Sequence, residues 1–391
     1  MPTMTLTQFL VTALLQIVLL AVFIFAGVAV LVFAERKVLG YVQQRLGYTR
    51  IASGLHGVTG GLNRFMWWMG KLPVLSILRG FPSFIADGIK LFTKEDIVPT
   101  KADWWVYHFA PAISVIAAFT VLAVVSFSPA PLWVWPQGVP IVGGLPFAGV
   151  ISDINVGILF LLGVASVGVY GIVLGGWASN SKYPLLGGLR SAAQIVSYEV
   201  PLTFSLLTPV VLAGTLNFND LSTYLAGLPL KDATGQASQM PLLGAVPVFI
   251  GFFIYLTCGF AETNRLPFDL PEAENELVAG FHTEYTGMKF GLFYMAEYAN
   301  MMIVAAVASA FFLGGSYLLP LGLQRYLPES LSQPNALFLI GKMAVILFSF
   351  IWVRGTIPRY RYDQLMHVGW KWLIPVSLVN MALAALIRYF A

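Results

Sequence analysis

The sequence predicts an all-α integral membrane protein of about eight transmembrane helices, with an interfacial amphipathic helix in its first loop. Three observations carry this. The chain is 58% hydrophobic and 14% aromatic but only 10% charged, with a mean hydropathy of +0.79, where soluble domains hold roughly 45–50% apolar residues. A helix needs about 20 apolar residues to cross the hydrocarbon, and eight such runs occur, at roughly 8–34, 104–128, 153–178, 190–213, 241–261, 289–313, 335–353 and 372–390. Finally, Lys and Arg alternate between loops: 35–103, 179–190, 262–289 and 354–371 hold 18, whereas 129–152, 214–240 and 314–334 hold two.

That imbalance predicts the orientation, because basic loops stay on the cytoplasmic or matrix-like side. Both termini are then expected on the outer side. The same topology accounts for the net charge of +4 and the pI near 9.0, so nucleic-acid binding is not needed to explain them. The first run is read as a retained span. It is too long for a signal peptide, lacks a basic lead and continues into Glu35-Arg36-Lys37.

The long first loop contains "FPSFIADGIKLFTKE", in which Phe81, Phe84, Ile85, Gly88 and Phe92 share one helical face and Asp87, Lys90 and Lys94 another. This pattern fits a helix lying on the bilayer or packed against protein, and the two can coexist. Ahead of it, about residues 53–78 combine glycines with Trp67 and Trp68. The glycines match neither a dinucleotide nor a phosphate-loop fingerprint, and the segment reads as a turn followed by an aromatic anchor at the membrane surface. The spans are joined tightly enough to make residues 1–391 a single polytopic domain.

Cys258 is the only cysteine, so this chain alone can hold neither a disulfide nor a thiolate-ligated iron–sulfur cluster. The four histidines lack metal-ligand spacing, and no metal is expected. The informative residues are ionisable ones in apolar surroundings: Glu199, Glu297 and Lys342. Each costs on the order of 3 kcal/mol at a helix centre, so each is expected to face a partner, a cavity or water. Pro201 leaves the carbonyl of Ser197 without its helical donor beside Glu199, which favours a hydrated pocket there. Buried carboxyl groups suit proton exchange near neutral pH, although satisfied contacts between helices are the alternative.

A second concentration is "AETNRLPFDLPEAENELVAGFHTEY". Six of the chain's 18 carboxylates, Glu262, Asp269, Glu272, Glu274, Glu276 and Glu284, lie here with a single Arg265. Interleaved Leu266, Phe268, Leu270 and Phe281 point to a segment lining a cavity or a partner rather than a solvated face.

That string, with "AERKVLGYVQQRLG" at 34–47, "ADGIKLFTKED" at 86–96, "GVYGIVLGGWASNSKYPLLGGLRSAAQIVSYEV" at 168–200 and "WVRGTIPRYRYDQLMHVGWKWLIP" at 352–375, resembles the quinone-site membrane subunit of the proton-pumping NADH:quinone oxidoreductase, respiratory complex I. The resemblance implies the membrane half of a quinone chamber completed by a peripheral-arm subunit. Quinone is then the substrate, no cofactor is bound by this chain alone, and FMN and iron–sulfur clusters belong to partner subunits. The other membrane and peripheral-arm subunits and the lipid bilayer are the implied partners, most naturally in a bacterial plasma (inner) membrane.

By the same resemblance, Arg36, Lys37, Asp87 and Lys90 lie near the mouth of the quinone path. Glu262, Arg265, Asp269, Glu272, Glu274, Glu276 and Glu284 form the chamber floor and coupling loop. Glu199 and Glu297 begin a proton path, with Lys342 the partner of a carboxylate. The first loop departs from the family: "RLGYTRIASG" lacks a Pro-Asn pair, some 20–25 extra residues follow, and Tyr41 stands where Arg is common. Two other readings compete, the related subunit of a membrane-bound hydrogenase and a stand-alone proton-coupled transporter.

Overall fold

The structure, a computed structural model, describes residues 6–45, 47, 64, 81, 83–129, 131, 133–134, 146–147, 149, 151–228, 230–231, 237–238, 242–270, 278–321, 323–326, 328 and 333–390. The helices in chain order are α1 (Leu6–Val42), α2 (Ser83–Thr93), α3 (Trp104–Val124), α4 (Gly157–Ala178), α5 (Lys182–Ala213), α6 (Phe218–Leu225), α7 (Ala245–Glu262), α8 (Gly287–Phe312), α9 (Ala336–Thr356), α10 (Tyr362–His367) and α11 (Ile374–Phe390). A π-helical turn, Val368–Leu373, joins α10 to α11 into one span. Among the described residues eight helical spans are long and apolar enough to cross a membrane. Two antiparallel ladders, each of two residues per strand, are the only strands among them.

The largest departure from the sequence reading is at α1. The first span does not end near residue 34: the helix runs on to Val42, because Val38, Leu39 and Val42 continue its apolar face and no proline intervenes. At 1.5 Å per residue it is ~55 Å long, against ~30 Å of hydrocarbon. Glu35, Arg36 and Lys37 are therefore helical residues, not loop residues. Two other spans also begin early, at Lys182 and Tyr362.

Caps fix several boundaries. Asp103 accepts from the Val106 N–H, Asn217 from those of Asn219 and Asp220, and Asn335 from that of Leu337. Gly214 ends α5 in the left-handed conformation, with its N–H on the Val210 carbonyl.

Helix α8 is the centre of the bundle. Every residue from Met301 to Phe312 is buried, and the run Ala305-Ala306-Val307-Ala308-Ser309-Ala310 lets neighbouring helices approach closely. Helices α3 and α4 also pack backbone to side chain, since a Cβ on Gly171 would collide with Ser114 Oγ. The surface helix α2 is held on one side by protein, with Leu91 against Gly291 of α8. It leaves Ile85 and Phe92 uncovered, consistent with a bilayer-facing side. The 53–78 insertion lies outside the described residues apart from Arg64.

Candidate functional site

The segment after α7 is shaped from α5. Gln194, fully buried, donates through Nε2 to the carbonyls of Ala261 and Phe268, both at 2.8 Å, and to Asn264 Oδ1 at 3.2 Å. Asn264 donates to Ser191 Oγ at 3.1 Å. On the other side the Tyr360 N–H reaches the Pro267 carbonyl, and Phe268 is flanked by the rings of Tyr198 and Tyr360. Residues 263–270 are thus a fixed floor, and this fixes Arg265 and Asp269.

Arg265, 5% exposed, lies between two carboxylates. Its Nε is 2.8 Å from Glu297 Oε1 of α8, and its Nη1 is 3.4 Å from Glu35 Oε1 of α1. Glu35 is buried as well and also pairs with Arg354 of α9. It accepts a 2.7 Å hydrogen bond from Tyr298, whose hydroxyl is 3.0 Å from that of Tyr294, and Arg265 stacks over the Tyr298 ring at 4.3 Å. Burial works against the Arg265 charge, but Glu297, Tyr298 and Glu35 outweigh it and hold the guanidinium firmly protonated. Two acids and two guanidinium groups from α1, α8, α9 and the floor therefore form a neutral chain. Beside it, Asp269 pairs with Arg359 at 3.0 Å.

A cavity of about 30 Å³ opens next to this chain, lined by Glu297, Asn300, Glu262, Asn264 and Ser114 among others. Glu262 carries no ion pair or hydrogen bond among the described residues. Glu199 lies near enough for its charge to act on Glu262. The site therefore holds two kinds of carboxyl group: Glu35 and Glu297, tied to arginines, and Glu199 and Glu262, which have no ion-pair partner among the described residues.

The remaining expected residues fall into three groups. Arg36 and Asp87 form a half-exposed 2.7 Å ion pair joining α1 to α2, while Lys90 on α2 is exposed. Lys37 is 8% exposed, with its ammonium 5.6 Å from the Tyr41 ring. Glu284 is half-buried, and its carbonyl accepts from Tyr107 at 2.8 Å. The neighbouring His282 is driven down to about 4 by burial, and burial pushes the Tyr285 hydroxyl up. Glu272, Glu274 and Glu276 lie outside the described residues.

Lys342 corrects the sequence reading. Among the described residues its partners are the carbonyls of Leu313, Gly315 and Tyr317, not a carboxylate, and it lies ~18 Å along α9 from Arg354. The reason is local: α8 ends at Phe312, the turn that follows leaves carbonyls without helical donors, and an ammonium supplies them.

Sequence reasoning missed Glu35, Arg354, Arg359 and Tyr298. Glu35 had one usable signal, the apolar period that continues through "AERKVLGYV". In the sequence Arg354 and Arg359 count only toward topology.

Comparison with known proteins then fixes the family. The sequence profile of the NADH dehydrogenase family matches residues 15–385. The second H-type subunit of the NADH-quinone oxidoreductase of Koribacter versatilis is 42% identical over 382 residues, 97% of each chain. The H-type subunit of the Rhodospirillum centenum enzyme is 43% identical over 370 residues, covering 95% of this chain and 92% of its own. The first of the H-type subunits of Geobacter metallireducens is 41% identical over 353 residues, 90% and 89%. The chain belongs to the NADH dehydrogenase family, that of the H-type membrane subunit of the proton-translocating NADH-quinone oxidoreductase, respiratory complex I.

Proposed function

We propose that this subunit forms the membrane-side floor of the quinone chamber and passes the electrostatic consequence of quinone reduction to protonatable carboxyl groups among its helices. The observation that carries the reading is the buried chain Arg354–Glu35–Arg265–Glu297, which runs from the fixed floor to the cavity holding Glu262. Reduction of a quinone to the quinol takes two electrons and two protons. With one cysteine in the chain, the electrons come from a cluster in a peripheral-arm partner, where the FMN also resides. What this chain contributes is position and charge.

Arg265 is the pivot. Any change of charge above the floor alters the field at a guanidinium already shared by two acids, and in a low dielectric such a shift reaches several ångströms. Glu297 feels it directly at 2.8 Å. Glu262 and Glu199, which have no cationic partner among the described residues, are the groups that exchange protons in response. Arg36, Lys37, Asp87 and Lys90 then flank the mouth of the quinone path, and Glu272, Glu274, Glu276 and Glu284 complete the acidic segment facing the peripheral arm.

The bacterial relatives support a bacterial inner membrane, and the Lys/Arg imbalance supports an orientation with the acidic segment on the cytoplasmic side and both termini outside. An alkaline phosphatase fusion at the C-terminus is expected to be active, and a green fluorescent fusion there dark. The protonic reading is tested with Glu199→Gln and Glu262→Gln in the assembled complex. Quinone reductase turnover and proton pumping are expected to fall together, by about 10²-fold where proton transfer limits the rate. Glu199→Asp is expected to restore part of both. Wild-type turnover and pumping in both Gln variants would remove these carboxyls from the mechanism.

A further inference from the structure

The cavity beside Glu262 contains polar groups that the proton path as described leaves unused. Phe293, Ala296, Glu297 and Asn300 present one face of α8 to it, at the i, i+3, i+4, i+7 spacing of a single helical stripe. Ser114 of α3 closes it from the side, and Glu262 and Asn264 close it from the end of α7. Asn300 is the anomaly: its amide, with two donors and an acceptor, has no protein partner among the described residues. An amide in a membrane interior does not stay unbonded when a polar space adjoins it.

The volume decides what fills that space. A water needs about 10–15 Å³ of such space, together with two to four polar partners. The cavity offers about 30 Å³, so it holds about two waters and nothing larger than a small solute. The lining carries two carboxyl groups, the amides of Asn300 and Asn264 and the hydroxyls of Ser114 and Thr263. Ser114 has capacity to spare, since among the described residues its hydroxyl reaches only the Gly168 carbonyl, at 3.4 Å.

We infer that Asn300, with Ser114, positions a pair of buried waters that carries a proton between Glu262 and Glu297. The inference rests on the proposed protonic role of these carboxyls and adds the residues that join them. In the transfer the O–H bond of protonated Glu262 breaks and its proton passes to the first water. That water gives a different proton to the second, and the second protonates the Glu297 carboxylate. Each water ends as it began, and the negative charge moves from Glu297 to Glu262. Asn300 neither gains nor loses a proton. It accepts from one water and donates to the other, which fixes the direction in which both point. Neutralising Glu297 loosens its hold on Arg265, so the water pair would connect proton position to the pivot of the charge chain.

The test uses the assembled complex in vesicles. Asn300→Leu keeps the volume and removes the amide, whereas Asn300→Ser restores a polar group with room for water. For Asn300→Leu, quinone reductase turnover and pumping are expected to fall by about 10²-fold where this transfer limits the rate, with an increased solvent deuterium isotope effect. Oxidation of NADH by an artificial acceptor at the peripheral arm should be unchanged, and Asn300→Ser should recover much of the loss. Unchanged turnover, pumping and isotope effect in Asn300→Leu would overturn the inference, provided that Glu262→Gln and Glu297→Gln are slow. If those two are silent as well, the underlying protonic reading has failed with it. Should Asn300→Leu not assemble, a high-resolution map of the wild-type complex decides: two ordered waters within hydrogen-bonding distance of the amide and the carboxyls are expected, and an empty or lipid-filled cavity would sink the proposal.

Discussion

Charge is buried at both ends of this bundle, by different means. At the end carrying the basic loops, charge meets opposite charge: Glu35 and Glu297 hold Arg265, and Arg354 joins Glu35. At the opposite end the partners of Lys342 among the described residues are neutral carbonyls of the turn that follows α8. A cation capped by dipoles has no second charge whose protonation could release it. A cation shared by two acids responds to the protonation of either. The difference separates a structural lysine from a candidate coupling element, although both began as ionisable residues in apolar runs.

The largest effect comes from breaking the shared pair. Arg265→Met would leave Glu297 without its cation and Glu35 with Arg354 alone, and loss of one partner from a buried ion pair costs about 3–5 kcal/mol. The expected result is loss of assembly or a steep drop in the melting temperature of the complex. Arg265→Lys should rescue poorly, because a single ammonium cannot span Glu297 through one nitrogen and Glu35 through another. Adding Glu297→Gln to Arg265→Met should recover part of the stability, since the orphaned charge is then gone. Additive losses in the double variant would deny that the residues act as one unit.

How much of this was legible follows the same division. Glu199, Glu297 and Lys342 stand out in sequence because apolar residues surround them on both sides. Glu35 does not, because it follows an apolar run that had already reached spanning length, and only the structure shows the helix continuing through it. Nothing in the sequence tells Lys342 from a carboxylate's partner, since its acceptors are backbone carbonyls and backbone has no letter of its own. Arg265 was legible as the lone cation among acids. That its partners come from α1 and α8, 230 and 32 residues away in opposite directions of reading, depends on helix packing alone.

His282 adds a third means of burial at the basic end: it stays neutral. Its edge contacts are Phe281 and Phe290, and burial lowers it from an ordinary 6.5 to about 4. The unfolded turn therefore binds a proton that the folded turn refuses between those values. Stability from this source is complete above pH 6.5 and declines as pH falls toward 4, by up to about 3 kcal/mol. Hydrogen-exchange protection of residues 278–286, corrected for intrinsic rates, should weaken between pH 7 and 5. His282→Phe should flatten that dependence, and an equal slope in the variant would assign it elsewhere.

At the opposite end, Lys342→Met tests whether dipole capping is only structural. Removing the ammonium leaves three carbonyls with fewer donors, a loss of about 1–3 kcal/mol for charge-assisted hydrogen bonds. Turnover per assembled complex and pumping stoichiometry should not change. A variant that assembles normally but pumps less would return Lys342 to the proton path and erase the distinction between the two ends.

The smallest effect sharpens the comparison by holding the chemistry and changing only the solvent. Arg36 and Asp87 are joined at 2.7 Å, as close as any pair around Arg265, yet their side chains are 39% and 36% exposed. Water screens such a pair, and exposed ion pairs contribute about 0–1 kcal/mol in double-mutant cycles. In a cycle of Arg36→Gln and Asp87→Asn, melting temperatures of the assembled complex should give a coupling below about 1 kcal/mol that shrinks further as salt is raised. The corresponding cycle between Arg265 and Glu297 should give a coupling several times larger and little affected by salt, because no solvent lies between the partners. If the two cycles gave equal couplings, burial would not be what distinguishes the charge chain from the surface pair. The case for Arg265 as a pivot would then lose its physical basis.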